Sequence, residues 1–164
     1  MRLVGALGVI CLIGCDAAPA KMPPPPAESL TLGVLADDGS FTPYEEGQDV
    51  TLVAGAQGGF HVWLSYQMTP ARNDAASLER TAHLAADDSL ILRTMSDVQL
   101  DGAPSQPLPM FMCPAPVGLS VLDVPIVYQL RFSDAKGEIA RGQVTLVPHC
   151  PADQTDFCQR ICNG

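Results

Sequence analysis

Four residues near the end of the chain have side chains that could bind a metal or carry redox chemistry: His149, Cys150, Cys158 and Cys162. Imidazole and thiolate ligands suit zinc. However, seven residues separate the first two cysteines and three separate the last two, whereas structural zinc sites use pairs spaced Cys-x₂₋₄-Cys. The Cys-x-x-Cys of thiol oxidoreductases is also missing from this segment. The third possibility is a pair of disulfides. Disulfides are expected if the protein is exported to an oxidising compartment, so the next question is whether the chain carries an export signal.

The first fifteen residues, MRLVGALGVICLIGC, predict export. A single positive charge at Arg2 precedes the apolar run 3–13, which is shorter than the roughly 20 residues that span a bilayer. This order is typical of a secretory signal peptide. The last four residues, Leu-Ile-Gly-Cys15, resemble the lipobox of bacterial lipoproteins. That resemblance implies cleavage after residue 14, a diacylglycerol on the Cys15 sulfur and a fatty acid such as palmitate on its amine.

Residues 15–28 predict a lipidated tether. Two or more acyl chains hold a protein stably on a membrane, and Pro23–Pro26 favour an extended polyproline II conformation. At ~3.1 Å per residue, the tether would place a domain up to roughly 40 Å from the membrane. The chain therefore resembles the small cell-envelope lipoproteins of Gram-negative bacteria, and either the inner or the outer membrane could carry it.

Export changes the interpretation of the tail. Cys113 joins the three tail cysteines, and an even number of cysteines in an exported chain predicts disulfides. Two bridges can form in three pairings, and the sequence does not choose between them. A bridge from Cys113 to the tail would restrain about 40 residues and stabilise the fold by roughly 3–4 kcal/mol. We expect no metal and no cofactor, with metal binding through His149 and the tail cysteines as the alternative.

A second candidate site lies in GAQGGFHVW, residues 55–63. The glycines precede a histidine, but no Lys-Ser/Thr and no helical pattern follow, so a phosphate-binding loop is disfavoured and a hairpin turn is favoured. Strict alternation in the strand that follows would place His61 and Trp63 on its outer face. An exposed tryptophan beside a histidine would suit a protein or glycan partner. The opposite possibility is that Trp63 is a core residue.

Catalytic patterns are weak. The segment GLSVL, residues 118–122, lacks the second glycine of a nucleophile elbow. No motif places a serine or cysteine beside His83. The adjacent carboxylates at 37–38, 45–46 and 87–88 lack the spaced oxygen ligands of a calcium loop and are typical of solvated turns. The sequence predicts a protein that is not an enzyme.

Composition favours an all-β domain. The chain has 14 glycines and 15 prolines, and only 16% of its residues are charged. Apolar residues alternate in short runs separated by turn residues, which predicts strands. The expected strands are 30–35, 49–55, 60–68, 80–85, 89–95, 120–133 and 138–147. Residues 101–118, which are rich in proline, are expected to form a long loop.

Seven short strands with turns every 8–12 residues suggest a β-sandwich. The segments EGQDVTLVAG and YQLRFSDAKGEIARGQVTLV resemble strand B and the final hairpin of immunoglobulin-like or fibronectin-like modules. The expected organisation is a signal peptide at 1–14, a tether at 15–28, an antiparallel sandwich at 29–149 and a disulfide-stapled tail at 150–164.

Charge restricts the partners. The formal net charge is −9, and an acidic surface repels nucleic acid and anionic lipid headgroups. Membrane contact is therefore expected through the lipid alone. The sequence predicts a lipid-anchored, non-catalytic envelope protein with an interaction or structural role, and metal delivery in the periplasm is the alternative.

Overall fold

The computed structural model describes residues 28–102 and 104–163. The predicted signal peptide and residues 15–27 of the tether, including Cys15, lie outside this part of the chain. The elements are β1 (Glu28–Leu35), β2 (Phe41–Pro43), β3 (Gln48–Thr51), β4 (Val53–Ala54), β5 (Phe60–Thr69), β6 (Ala75–Leu84), β7 (Leu90–Gln99), β8 (Leu108–Cys113), β9 (Ile126–Asp134), β10 (Gly137–His149) and α1 (Thr155–Cys162). Within the described residues, no helix has the length and apolar character needed to cross a membrane.

The strands form one curled sheet in the order β4-β5-β1-β10-β9-β6-β7, with β8 paired to β5. Strand β1 joins its two halves, because it pairs antiparallel with β5 and parallel with β10. The fold is an all-β, immunoglobulin-like sandwich, with β5 and β8 in one half and β6, β7, β9 and β10 in the other. The sheet is mixed rather than purely antiparallel, because β3 also runs parallel to β10.

The core lies between the two halves and follows from alternation along the strands. On β9, the side chains at even positions from Ile126 to Phe132 are fully buried. On β5, the even positions from Phe60 to Met68 are likewise buried. Tyr66 of β5 meets Phe132 of β9 with ring centroids 4.7 Å apart, a separation typical of favourable aromatic pairs. These contacts hold β5 rigidly, and its opposite face is therefore displayed on a fixed support.

The predicted loop at 101–118 is wrong in its central part, because residues 108–113 form β8. Met110 and Met112 point into the core and are fully buried. Proline is tolerated in sheets mainly on edge strands, where a missing amide hydrogen costs no ladder bond. Strand β8 pairs only with β5 among the described strands, and Pro109 fits there for that reason.

The segment at 49–55, which the sequence predicts to be one strand, forms two short strands instead. Residues 49–55 are interrupted at Leu52, whose side chain is buried. The part before it pairs with β10 and the part after it pairs with β5. The final hairpin, β9 and β10, is where the sequence predicts it.

Three other boundaries differ from the sequence prediction by four or more residues. The strand predicted at 120–133 begins only at Ile126, immediately after Pro125. Strand β6 begins five residues earlier than predicted, at Ala75, and β7 continues four residues further, to Gln99. The added residues of β6 and β7 pair with each other, so pairing extends both strands beyond their own apolar patterns.

The tail contains a short helix that the sequence prediction missed. Cys158 and Cys162, four residues apart, lie on one face of α1 and are both buried. Cys162 is bonded to Cys113 of β8, and Cys158 is bonded to Cys150. The two disulfides are therefore present and fasten the tail to the sandwich.

Candidate binding surface

Strand β5 carries two ring side chains on the face opposite the core. His61 and Trp63 alternate with the buried residues of β5, and Trp63 is 36% exposed. The structure therefore places Trp63 on the surface and not among the core residues. The two rings lie side by side, with centroids 5.9 Å apart.

The neighbouring strand β8 adds a third ring. Phe111 pairs in register with His61 across the ladder, and the two ring centroids lie 5.1 Å apart in an edge-on arrangement. Phe111 is 39% exposed. Sequence reasoning missed this residue because its segment was assigned to a loop. The alternation of Met110 and Met112 around Phe111 was the available signal.

Exposed aliphatic side chains border the three rings. Val53 of β4 pairs in register with His61 and is exposed, as is Val34 of β1. Together these five residues, Val34, Val53, His61, Trp63 and Phe111, form what we call the aromatic patch. None of them is acidic or a permanent cation, in a chain whose net charge is −9. Exposed apolar groups of this kind often mark binding surfaces.

An open groove lies at one end of the aromatic patch, beside Trp63. Its volume is about 450 Å³. Its lining consists of Val34, Leu35, Trp63, Ser65, Gln106 and Pro107. No lining residue is charged, and Gln106 is the exposed polar member. The groove can therefore receive an apolar side chain beside the indole and offers an amide for a hydrogen bond.

Two glycines make room for the rings. A Cβ atom at Gly55 would lie 2.1 Å from His61 Nε2, and one at Gly59 would lie 2.4 Å from Phe111 Cε2. Gly58, between them, has φ +83°, a conformation that favours glycine. The hairpin prediction for this segment is thus matched by the β4–β5 pairing. The segment also makes space for His61 and Phe111.

The surroundings of His61 favour its neutral form. Burial lowers the pKa of its imidazole below the ordinary value, because desolvation disfavours the charged form. Its Nδ1 is buried and has no hydrogen-bond partner among the described residues. His61 therefore behaves as a third flat ring of the aromatic patch and not as a cation.

The imidazole of His149 contacts two carboxylates and is not arranged with the tail cysteines as a metal site. Its Nε2 lies 2.9 Å from Asp49 Oδ1 and its Nδ1 lies 2.5 Å from Asp123 Oδ1. Hydrogen bonds to Asp49 and Asp123 raise the pKa of His149. The cysteines considered as its fellow ligands are bonded in disulfides. In the described part of the chain, no group of three or more His, Cys, Asp or Glu side chains is arranged to hold a metal ion.

The remaining polar candidates lie in turns. His83 Nδ1 is 3.1 Å from the backbone oxygen of Asp88, at the β6–β7 turn. Asp38 and Asp87 each accept a hydrogen bond from the backbone N–H two residues later. These contacts are typical of turn-stabilising aspartates.

Comparison with known proteins adds no assignment: the chain matches no protein-family model and no curated protein sequence.

Proposed function

We propose that this protein is a lipid-anchored, non-catalytic interaction module of the Gram-negative cell envelope, and that it binds a protein partner through the aromatic patch. The observation that carries the proposal is the cluster of His61, Trp63 and Phe111 rings on the outer face of β5 and β8, beside an open groove. Aromatic side chains held on a rigid support are enriched at the energetic centres of protein interfaces.

A protein partner suits this surface better than a glycan. Three lining residues of the groove, Val34, Leu35 and Pro107, are apolar, and Gln106 is the main exposed polar group. A sugar needs several hydrogen bonds to its hydroxyl groups, whereas the centre of a protein interface is poor in charge and rich in aromatic residues. The neutral state of His61 fits an apolar contact as well.

The lipid anchor is supported by the sequence of residues 12–15. The Leu-Ile-Gly-Cys15 lipobox and the Pro-rich tether would hold the sandwich away from the membrane surface. Labelling cells with radioactive palmitate tests this part. We expect label on the wild-type chain and none on the Cys15→Ala variant, and equal labelling of the two would refute the anchor.

Photocrosslinking in living cells tests the aromatic patch. p-Benzoylphenylalanine in place of Val53 should give a discrete adduct with one envelope protein, because Val53 borders the rings. The same probe in place of the fully exposed Val117, which is outside the patch, is the matched control and should give no such adduct. If muramidase removes the adduct, the partner is a glycan and not a protein. Equal products from both positions would refute a specific surface.

A thiol count separates this proposal from the alternative of metal delivery. Disulfide-bonded sulfur offers no thiolate to a metal, and the structure bonds all four cysteines beyond residue 15 in pairs. We expect no free thiol in the denatured, unreduced domain. About four free thiols together with bound metal would favour metal delivery.

A further inference from the structure

Strand β7 forms one end of the strand order, and β6 is its partner in the described part of the chain. Its ten residues, LILRTMSDVQ, include no proline or glycine. An edge strand of this length presents a row of N–H and C=O groups that can pair with another strand, and proteins usually protect such edges. Residues 92–99 pair with β6 without a bulge, so the edge is regular.

Strand β8, which pairs with β5 alone among the described strands, is an edge that is protected. Strand β8 contains Pro109, which offers no amide hydrogen, and the Pro109 carbonyl oxygen accepts a hydrogen bond of 3.1 Å from Arg80 Nη1. Strand β7 approaches β8, but it contains no proline, and no side chain among the described residues is hydrogen-bonded to its backbone. The two edges therefore differ, and β7 is the one suited to pairing with another strand.

The exposed face of β7 has a symmetric arrangement of charge. Met95 is 66% exposed. Arg93 precedes it by two residues and Asp97 follows it by two, and both are exposed. Arg93 contacts Glu79 within the sheet, whereas no ion pair of Asp97 occurs among the described residues. The positions are equidistant from Met95 and opposite in charge.

We propose that two copies of this chain associate by antiparallel pairing of their β7 strands, with Met95 of one copy opposite Met95 of the other. A two-fold axis at Met95 places Arg93 of each copy opposite Asp97 of the other. Opposite charges directly across a ladder stabilise the pairing, and like charges destabilise it. The interface is isologous, which is the commonest arrangement in homodimers.

The charges also select the register. Moving the axis by one position in either direction along β7 places Met95 opposite Asp97, or Arg93 opposite Met95, and both ion pairs are lost. The net charge of −9 makes two copies of the chain repel each other at long range. At contact, the register with two ion pairs is favoured over the registers that have none. The pairing uses none of the residues of the aromatic patch, and so it does not depend on the proposed function.

Cysteine crosslinking of the full-length chain in its host cell tests the pairing. In the Met95→Cys variant, the two new thiols lie directly opposite each other, with Cβ atoms about 4.5–5.5 Å apart, and mild oxidation should produce a disulfide-linked dimer on a non-reducing gel. Gln99→Cys is the matched control on the same face of β7. Its two copies would lie roughly 26 Å apart at ~3.3 Å per residue, and we expect at least a five-fold lower dimer yield.

Charge reversal tests the register within the Met95→Cys background. Asp97→Arg brings two arginines together and should lower the dimer yield at least five-fold. Adding Arg93→Asp restores opposite charges and should restore the yield. No dimer from Met95→Cys, equal dimer from Gln99→Cys, or no rescue by the double reversal would each overturn the proposal.

Discussion

At the scale of single residues, His149 lies between two carboxylates that belong to different segments. Asp49 comes from β3 and Asp123 from the segment before β9. A protonated imidazole can donate to both carboxylates at once, whereas the neutral ring can donate to one only. The charged form of His149 thus holds the two segments together at the end of β10.

This contact predicts a pH-dependent stability. The pKa of His149 is raised in the folded protein, so its contribution is fully present below the unfolded pKa of about 6.5 and is lost as the pH rises through the folded pKa. We expect His149→Gln to be less stable than wild type in urea at pH 5.5. The difference should shrink at pH 8.5, and a larger difference at pH 8.5 would contradict this role.

Gly59 gives a second prediction at this scale. A Cβ at this position would meet Phe111 at 2.4 Å and the backbone oxygen of Cys113 at 2.6 Å. Because the backbone of β8 cannot yield as freely as a side chain, we expect Gly59→Ala to lower the free energy of unfolding by about 1–3 kcal/mol. Gln57→Ala, in the exposed turn, should change it by less than about 0.5 kcal/mol. Urea unfolding measures both, and equal effects would contradict the steric account.

At the scale of elements, the two disulfides should differ in their contribution. Cys113–Cys162 closes a separation of 49 residues and ties α1 to β8, whereas Cys150–Cys158 closes 8 residues within the tail. In the chain-entropy model, replacing both cysteines of the longer bridge by alanine costs roughly 4 kcal/mol, and replacing those of the shorter bridge costs roughly 2–3 kcal/mol. Urea unfolding without reductant compares the double variants. A larger loss from the shorter bridge would contradict this order.

The elements also show what sequence could and could not predict. Strands β5, β9 and β10 were predictable because each buries one face, which leaves a period of two in the sequence. The outward direction of Trp63 followed from the same alternation. Strand β8 was obscured by the prolines at 107, 109 and 114, which are usually turn residues. Its edge position, where a missing N–H is tolerated, is a property of tertiary arrangement and not of its own sequence.

The helix α1 was missed for a related reason. It has eight residues, too few to be stable in isolation. Its stability comes from burial of Cys158 and Cys162 and from the bonds they make. Phe111 was missed along with β8, so the sequence predicted two of the three rings in the patch.

At the scale of the whole molecule, the proposed tether, the sandwich and the tail have different roles. If lipidated as proposed, the N-terminal segment would hold the protein at a membrane, and the Cys113–Cys162 disulfide fastens α1 to β8. That bracing supports the strand that carries Phe111. The outer face of β5 and β8 is thereby displayed as a rigid surface, and rigid surfaces bind with a smaller entropy cost.

The most direct test of this account is the yield of the Val53 photocrosslink in cells that carry Trp63→Ala. Because aromatic residues at interface centres commonly contribute 2 kcal/mol or more, we expect the adduct to fall at least ten-fold. Leu90→Ala, which removes an exposed apolar side chain outside the patch, should leave the adduct unchanged. An undiminished adduct in Trp63→Ala, or an equal loss in both variants, would contradict binding through the aromatic patch.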